Sequence, residues 1–277
     1  MNSRKKFFVK AVVLIALAAP TFAYADTVTI YDYSDQADAY WGGRDNNDGM
    51  GMSWSDSTQD VIGGSMFAVD TMTVSRTYGT NGSLTVTLSG DYFKGQANEY
   101  EFIGDLFLSN NGWNPYSTGS DDLHHASDTI TNGEAWEYVL KLDTVVAPQD
   151  GTTSGTISLY AVNPDGIRGP QDSEERGVTH NGLYRIDQPL WYDPDTGQPV
   201  LALGTWALDP ITGTFTFSLE DVDLSLYGLD VSDIGLSWTM SCGNDVVAGS
   251  TVPEPATMLL FAAGLSSLAA YRRRAKK

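Results

Sequence analysis

The sequence predicts an all-β protein whose main domain is an antiparallel β-sandwich of jelly-roll type. Short stretches in which apolar and polar residues alternate recur along residues 26–251, as in half-buried strands. Glycine, proline, aspartate and asparagine separate these stretches at turn-like positions. No apolar repeat of 3.6 residues persists and no internal repeat has a fixed period, so helical bundles, solenoids and propellers are disfavoured. Roughly eight to eleven strands are expected.

The first element is a targeting segment. Four basic residues precede or border the apolar run at residues 11–19, and Ala23 and Ala25 occupy the two positions that a signal peptidase reads. Residues 1–25 are therefore predicted to be a secretory signal peptide, which signal peptidase cleaves before Asp26. The run is shorter than the ~20 residues of a typical membrane-spanning helix. The chain is thus expected to be exported, with residues 26–251 forming its folded domain.

The first part of this domain is predicted to contain a strand at residues 27–31, then a long loop or a pair of short strands at 34–59, and then a hairpin. Residues 65–77 and 83–93 flank Asn81-Gly82, a dipeptide typical of tight hairpin turns. In the second strand of this hairpin, three apolar side chains share one face: Leu84, Val86 and Leu88.

Three further strands are expected at residues 100–109, 134–146 and 155–162. Each alternates with a period of two, so one set of side chains should face the core. The inward positions are predicted to be Phe102, Leu106 and Leu108, then Trp136, Tyr138, Leu140 and Leu142, then Ile157, Leu159 and Ala161.

The last part of the domain is predicted to hold strands at residues 183–192, 199–208 and 213–225, followed by the clearest strand at 234–243. The apolar face of that final strand consists of Ile234, Leu236, Trp238, Met240 and Cys242. Glycine, serine and threonine fill the opposite face, so the strand is expected to be half-buried and antiparallel. Residues 244–251 are interpreted as a linker.

The charge distribution excludes some partners. The chain has a net charge of -19, but residues 26–251 hold only seven of the 16 cations and 34 of the 35 acids, which gives that region a net charge near -27. Phosphate binding requires clusters of cations, so no nucleic acid partner is expected. Such a surface suits a hydrated envelope protein and attracts divalent cations.

Catalytic patterns are weak, and the domain is expected not to be an enzyme. There is no Gly-x-Ser-x-Gly element, and no neighbouring residue in the sequence orients His180 as a base. A secreted glycan hydrolase stays an alternative because carboxylates are abundant, yet the sequence selects no pair across a cleft. The single cysteine, Cys242, excludes a disulfide framework, and its apolar strand face predicts a buried, inert thiol.

One dense group of potential metal ligands lies in a polar loop. Asp121, Asp122, His124 and Asp128 could offer carboxylate oxygens to calcium, or carboxylates with an imidazole to zinc. The spacing matches no zinc-enzyme motif, so a solvated loop is the alternative. Residues 45–49 resemble a calcium loop only in composition, and a turn explains them. No cofactor is required by the sequence, and calcium is the ion that these loops would favour.

Aromatic residues in predicted loops suggest a glycan-binding surface. A ring surrounded by aspartate and asparagine can stack on a sugar while the polar groups bind its hydroxyls. The candidates for this role are Trp41, Trp54, Trp113 and Trp191. The alternative is that these rings close the open ends of the sandwich.

The C-terminal residues 252–277 form a second targeting segment with three adjoining parts. Val252, Pro253, Glu254 and Pro255 come first, followed by the uncharged apolar segment 256–271, which is predicted to be a helix. This segment is shorter than the ~20 residues of a typical membrane span. A basic tail at 272–277 follows it. Residues at the boundary are predicted to act as a membrane stop with a cytoplasmic basic end: Tyr271, Arg272, Arg273 and Arg274.

Taken together, these three parts resemble the PEP-CTERM sorting signal, with its elements in the same order. The resemblance implies recognition by exosortase, a membrane-embedded transpeptidase-like enzyme thought to cut near the Pro-Glu-Pro element. Residues 104–108 and 238–245 are also similar to stretches of other PEP-CTERM proteins. An ordinary C-terminal anchor is the alternative.

The expected protein is therefore an exported surface protein of a Gram-negative bacterium. It would be held transiently at the inner membrane and then placed at the cell surface or in the extracellular matrix. Its domain is expected to be non-enzymatic, with a lectin-like module for exopolysaccharide, with or without calcium, as the alternative function.

Overall fold

The computed structural model describes residues 25–32, 61, 64–95, 101–113, 136–176 and 188–251. These ranges contain no α-helix. The strands are β1 (Ala25–Tyr31), β2 (Thr71–Thr77), β3 (Gly82–Ser89), β4 (Leu106–Ser109), β5 (Tyr138–Leu142), β6 (Ser154–Ala161), β7 (Ile167–Arg168), β8 (Trp191–Tyr192), β9 (Ala202–Asp209), β10 (Thr214–Val222), β11 (Gly235–Thr239) and β12 (Val246–Ser250). Short 3₁₀ helices lie at Ser65–Phe67, Asp91–Lys94, Pro148–Asp150, Pro164–Gly166, Pro170–Arg176 and Leu224–Tyr227.

Ten of these strands form one antiparallel sheet in the order β1-β2-β3-β10-β9-β6-β5-β4-β11-β12, while β7 and β8 pair separately. The sheet bends on itself, so that its two edge strands approach each other. A Cβ atom built on Gly249 of β12 would lie 2.9 Å from Ile30 Cγ2 of β1. The prediction of an all-β antiparallel fold is confirmed, and the ten strands belong to one continuous sheet.

Enclosed by this sheet is one large apolar core, to which every strand from β2 to β12 except the β7–β8 pair contributes buried residues. Its centre is aromatic. Phe215 stacks between Trp206, at 5.3 Å between ring centroids, and Phe93, at 5.9 Å. Trp238 of β11 lies 5.5 Å from Phe93. Large aromatic rings supply much of the buried apolar area that stabilises such a core.

The predicted first hairpin is confirmed, although its turn differs from the prediction. Strands β2 and β3 pair up to Thr77 and Ser83, and Leu84, Val86 and Leu88 are fully buried. The residue with a positive φ is Gly79, at 118°, whereas Gly82 begins β3. Gly82 is needed for space, since a Cβ there would lie 2.6 Å from the carbonyl oxygen of Thr77.

The prediction that residues 244–251 form a linker is wrong. Residues 246–250 form β12, which pairs with β11 throughout its length. The short Val-Val-Ala-Gly-Ser sequence has too few alternating residues to be distinguished from a linker.

Two other strand predictions need smaller corrections. Ala161 at the end of β6 is exposed, and of the strand predicted at 183–192 the described part contains only β8.

Strand β11 is buried on both faces, which corrects the prediction of a half-buried strand. Its outer polar residues Ser237 and Thr239, like Ser241 just beyond it, have no solvent exposure. The Phe102 amide donates to Ser241 Oγ at 3.0 Å, and the Thr239 hydroxyl donates to the Asp245 carbonyl at 2.6 Å. Loop backbone thus covers this face and binds the hydroxyl groups of Thr239 and Ser241.

Candidate functional site

The C-terminal end of the described domain is firmly attached at Thr251. Its amide donates to the Ile234 carbonyl at 2.9 Å, and its hydroxyl oxygen accepts from the Ile234 amide at 3.1 Å. The same hydroxyl donates to the Ser232 carbonyl at 3.1 Å, and Thr251 has no solvent exposure. The hydrogen bonds of the domain therefore extend to the residue directly before Val252.

Near the start of the domain, a buried arginine is anchored by an ion pair. Arg76 is 1% exposed, and its Nη2 atom lies 2.7 Å from Oδ2 of Asp26. Tyr78 also donates its hydroxyl to that carboxylate at 2.8 Å. Arg76 also donates to two loop carbonyls, from Nη1 to Val231 at 2.6 Å and from Nη2 to Ser232 at 3.5 Å. An arginine is suited to this position because its planar fork donates to several acceptors at once.

These two attachments form one network that we call the end clamp, made of Asp26, Arg76, Ser232 and Thr251. The Ser232 carbonyl accepts from both Arg76 and Thr251. Asp26 is the residue predicted to follow signal-peptide cleavage, so the clamp joins the two ends of the domain. Sequence reasoning missed it, although one signal was present. Arg76 occupies the inward phase of β2, where the two preceding inward residues are apolar.

A buried acid–thiol cluster lies beside β11. Glu101 is 7% exposed, and burial raises the pKa of its carboxyl from 4.5 to about 7. The Cys242 thiol donates to Glu101, and burial raises the pKa of this thiol well above its ordinary value. Burial likewise raises the pKa of nearby Tyr92. A protonated buried thiol is a poor nucleophile, in agreement with the predicted inert Cys242.

Each of the segments 104–108 and 238–245 contains a buried carboxylate that binds backbone amides. Asp105 accepts from the amides of Leu142 and Tyr192, both at 2.8 Å, and so joins β5 to β8. Asp245 accepts from the amide of Val69 at 2.6 Å and from that of Val246 at 2.8 Å. Both residues are at most 1% exposed, so these acids stabilise backbone and face no solvent.

The two described tryptophans of the predicted glycan surface lie in different environments. Trp191 is 3% exposed, and its ring contacts Phe102 with centroids 6.0 Å apart. Its face is therefore not accessible for stacking on a sugar, which corrects this part of the prediction. Trp113 is partly buried against an outer apolar cluster, which consists of Phe107, Trp136, Val139, Ile167 and Tyr192. Trp41 and Trp54 lie outside the described residues.

Most of the other predicted site residues also lie outside the described ranges, and those predictions stay open. These are the metal candidates Asp121, Asp122, His124 and Asp128, the processing residues Ala23, Val252, Pro253, Glu254 and Pro255, and the membrane-stop residues Tyr271, Arg272, Arg273 and Arg274. Ala25 is described, begins β1 and pairs with Thr77. Cleavage before Asp26 would remove the pairing of Ala25 with Thr77 and leave the ion pair of Asp26 with Arg76 in the domain.

Among the described residues, no group of three or more histidine, cysteine or acidic side chains is arranged to hold a metal ion. No helix within the same ranges combines the length and the apolar character needed to cross a membrane.

Comparison with known proteins identifies the C-terminal segment. No curated protein and no solved structure matches the chain. A family model does match residues 251–274, and its description is the PEP-CTERM protein-sorting motif. The match begins at Thr251, where the end clamp holds the last described residue. The chain is therefore an exported protein that carries a PEP-CTERM sorting motif, which targets it to exosortase and implies transient anchoring in the membrane.

Proposed function

We propose that the domain is a non-enzymatic, acidic component of the cell envelope or extracellular matrix, placed there by exosortase processing. The observation that carries this proposal is the position of the sorting motif. The motif match starts at Thr251, which also closes the folded domain, so the domain is the cargo that remains after processing. A net charge near -27 for residues 26–251 favours a soluble and hydrated product.

The end clamp supports a cut that lies close to the folded domain and leaves the sheet intact. Four residues, 252–255, separate Thr251 from the end of the Val-Pro-Glu-Pro element, and a chain of this length spans at most ~14 Å. A cut near this element would therefore take place close to the folded domain. Because Thr251 is held by three hydrogen bonds, such a cut would leave β12 in the sheet.

The intact mass of the protein recovered from its native envelope or medium tests this proposal. We expect a species that begins at Asp26 and ends near residues 252–255, with or without an attached group at the new terminus. A species that extends to Lys277 in every fraction would contradict exosortase processing. It would instead indicate a permanent anchor at the inner membrane.

Glycan binding is the second candidate function, and one aromatic residue favours it. Trp113, in the loop that follows β4, is only partly buried where it packs against the outer apolar cluster. A partly exposed indole can stack on a sugar ring. Binding to the exopolysaccharide of the producing cells should then fall in Trp113→Ala and Trp41→Ala. Unchanged binding in both variants would remove this candidate surface.

A further inference from the structure

One face of the sheet is covered with hydroxyl groups, and we call it the hydroxyl face. It consists of the outward serine and threonine side chains of β1, β2, β3 and β10 and their neighbours on β9 and β6. Its first row crosses six strands in direct register: Thr27, Ser75, Thr85, Ser218, Thr205 and Thr156. The side chains that alternate with these residues point into the core, so the row itself faces outward.

A second row runs parallel to the first. Thr29, Thr73, Thr87 and Thr216 lie side by side on β1, β2, β3 and β10. Neighbouring strands are ~4.8 Å apart, and alternate residues along a strand are ~6.7 Å apart, so the two rows form a regular grid. All members of both rows are exposed or half-buried.

Cross-strand hydrogen bonds hold the hydroxyl groups in place. Thr29 and Thr73 are joined at 3.1 Å, and Thr87 and Thr216 also at 3.1 Å. In the first row, the hydroxyls of Thr27 and Ser75 lie 3.0 Å apart. A hydroxyl has one donor and two acceptor sites, so each keeps bonding capacity for a partner outside the sheet. Threonine is also stiff at χ1, which lowers the entropy lost when a ligand binds.

The absence of charge in these rows is the most informative feature. Neither row contains an acid or a base, although residues 26–251 hold 34 acids. The nearest outward acids on these strands, Asp209 and Glu220, lie toward the ends of β9 and β10. Strand propensity favours threonine and disfavours charged residues on an exposed strand, but Asp209 and Glu220 show that β9 and β10 accept acids at other outward positions.

The chemistry of the face selects one class of partner. An anionic polymer would need cations there, and an apolar partner would need an apolar patch. A neutral polysaccharide fits, since its hydroxyls both donate and accept and its C–H groups can contact the threonine methyl groups. We propose that the hydroxyl face binds a neutral polysaccharide. This proposal rests on the proposed role in the matrix and gives that role a ligand class.

Affinity electrophoresis of the full chain tests this proposal, with native gels that contain dextran, laminarin or hydroxyethyl cellulose and an alginate gel for comparison. The variant Thr73→Glu/Thr216→Glu places two charges in the second row. Its matched control, Thr152→Glu/Thr196→Glu, adds the same charge at exposed loop positions outside the face. The variant Thr73→Val/Thr216→Val removes the hydroxyls while keeping the β-branched shape that suits a strand.

We expect retardation by at least one neutral polymer and none by alginate. The apparent dissociation constant should rise about tenfold in both face variants and stay unchanged in the control. The valine variant keeps the test valid if the charged variant does not fold. No retardation by any neutral polymer would overturn the proposal, as would equal losses in face variants and control. A wild-type dimer that the glutamates dissociate, without retardation, would assign the face to self-association. The intact mass tests sorting separately.

Discussion

Arg76 and Asp26 form a two-point ion pair at the start of the domain, with Nη2 2.7 Å from Oδ2 and Nε 3.2 Å from Oδ1. The arginine side chain is 1% exposed and the aspartate 13% exposed. Arg76 also donates to the carbonyls of the loop that holds Thr251. The Ser232 carbonyl accepts from both Arg76 and Thr251. Through it, the pair connects the edge strand β1 to the residue at which the sorting motif begins.

The first prediction is that Asp26→Asn lowers the free energy of unfolding by about 3 kcal/mol, because a buried guanidinium loses its counter-ion. Urea unfolding followed by tryptophan fluorescence measures this change. Asp91→Asn is the matched control, since it removes an exposed pair with Lys94 and should have no measurable effect. Equal losses of unfolding free energy in the two variants would contradict this prediction. They would show that the buried ion pair stabilises the domain no more than the exposed one.

The second prediction concerns pH and Glu101. Burial raises the pKa of its carboxyl from 4.5 to about 7, so the folded state retains a proton that the unfolded state has lost between these values. The contribution of Glu101 to stability is therefore greatest below pH 4.5 and declines as the pH rises through 7. Glu101→Gln should be more stable than the wild type at pH 8 by about 1 to 2 kcal/mol, an advantage that shrinks at pH 5.

Denaturation midpoints at several pH values between 5 and 8 measure this difference. Glu220→Gln, at an exposed position of β10, is the control and should leave the slope with pH unchanged. A Glu101→Gln protein whose stability follows the wild-type pH dependence would contradict the buried-acid explanation.

The third prediction is that Asp105→Asn destabilises the domain by about 2 to 3 kcal/mol. The carboxylate accepts from the amides of Leu142 and Tyr192. An asparagine keeps one acceptor oxygen and turns an N–H group toward the second amide, which leaves a buried donor unsatisfied. Thermal unfolding measures the change. Asp193→Asn removes an acid that is 65% exposed, and it should leave the melting temperature within error.

The fourth prediction tests the end clamp at Thr251. Thr251→Val removes the hydroxyl that bridges the Ile234 amide and the Ser232 carbonyl, and the domain should lose about 1 to 2 kcal/mol. The loss should be local, so limited proteolysis with mass spectrometry should detect earlier cleavage within β12. Thr196→Val, in an exposed loop, should leave the cleavage pattern unchanged. A Thr251→Val pattern identical to the wild type would mean that the backbone bonds alone hold β12.

Local sequence was sufficient for the strands with long alternation. Residues 84, 86 and 88 were predicted to face the core, and they are fully buried in β3. A period of two places successive side chains on opposite faces, so an unbroken alternation assigns the inner face without knowledge of the partner strands. Strand β12 lacked this signal because its five residues are small or apolar without alternation.

The C-terminal sorting motif and the β-rich domain before it could be recognised from the residues alone. What covers the second face of each strand became clear only in the folded molecule. Serine and threonine line the outer face of both β3 and β11, yet they are half-buried in β3 and fully buried in β11. Alternation defines two faces, but the covering of the outer face depends on loops and strands that are distant in sequence. For the same reason, the position of Arg76 beside Asp26, Ser232 and the residue that leads into the sorting motif emerged only from the folded sheet.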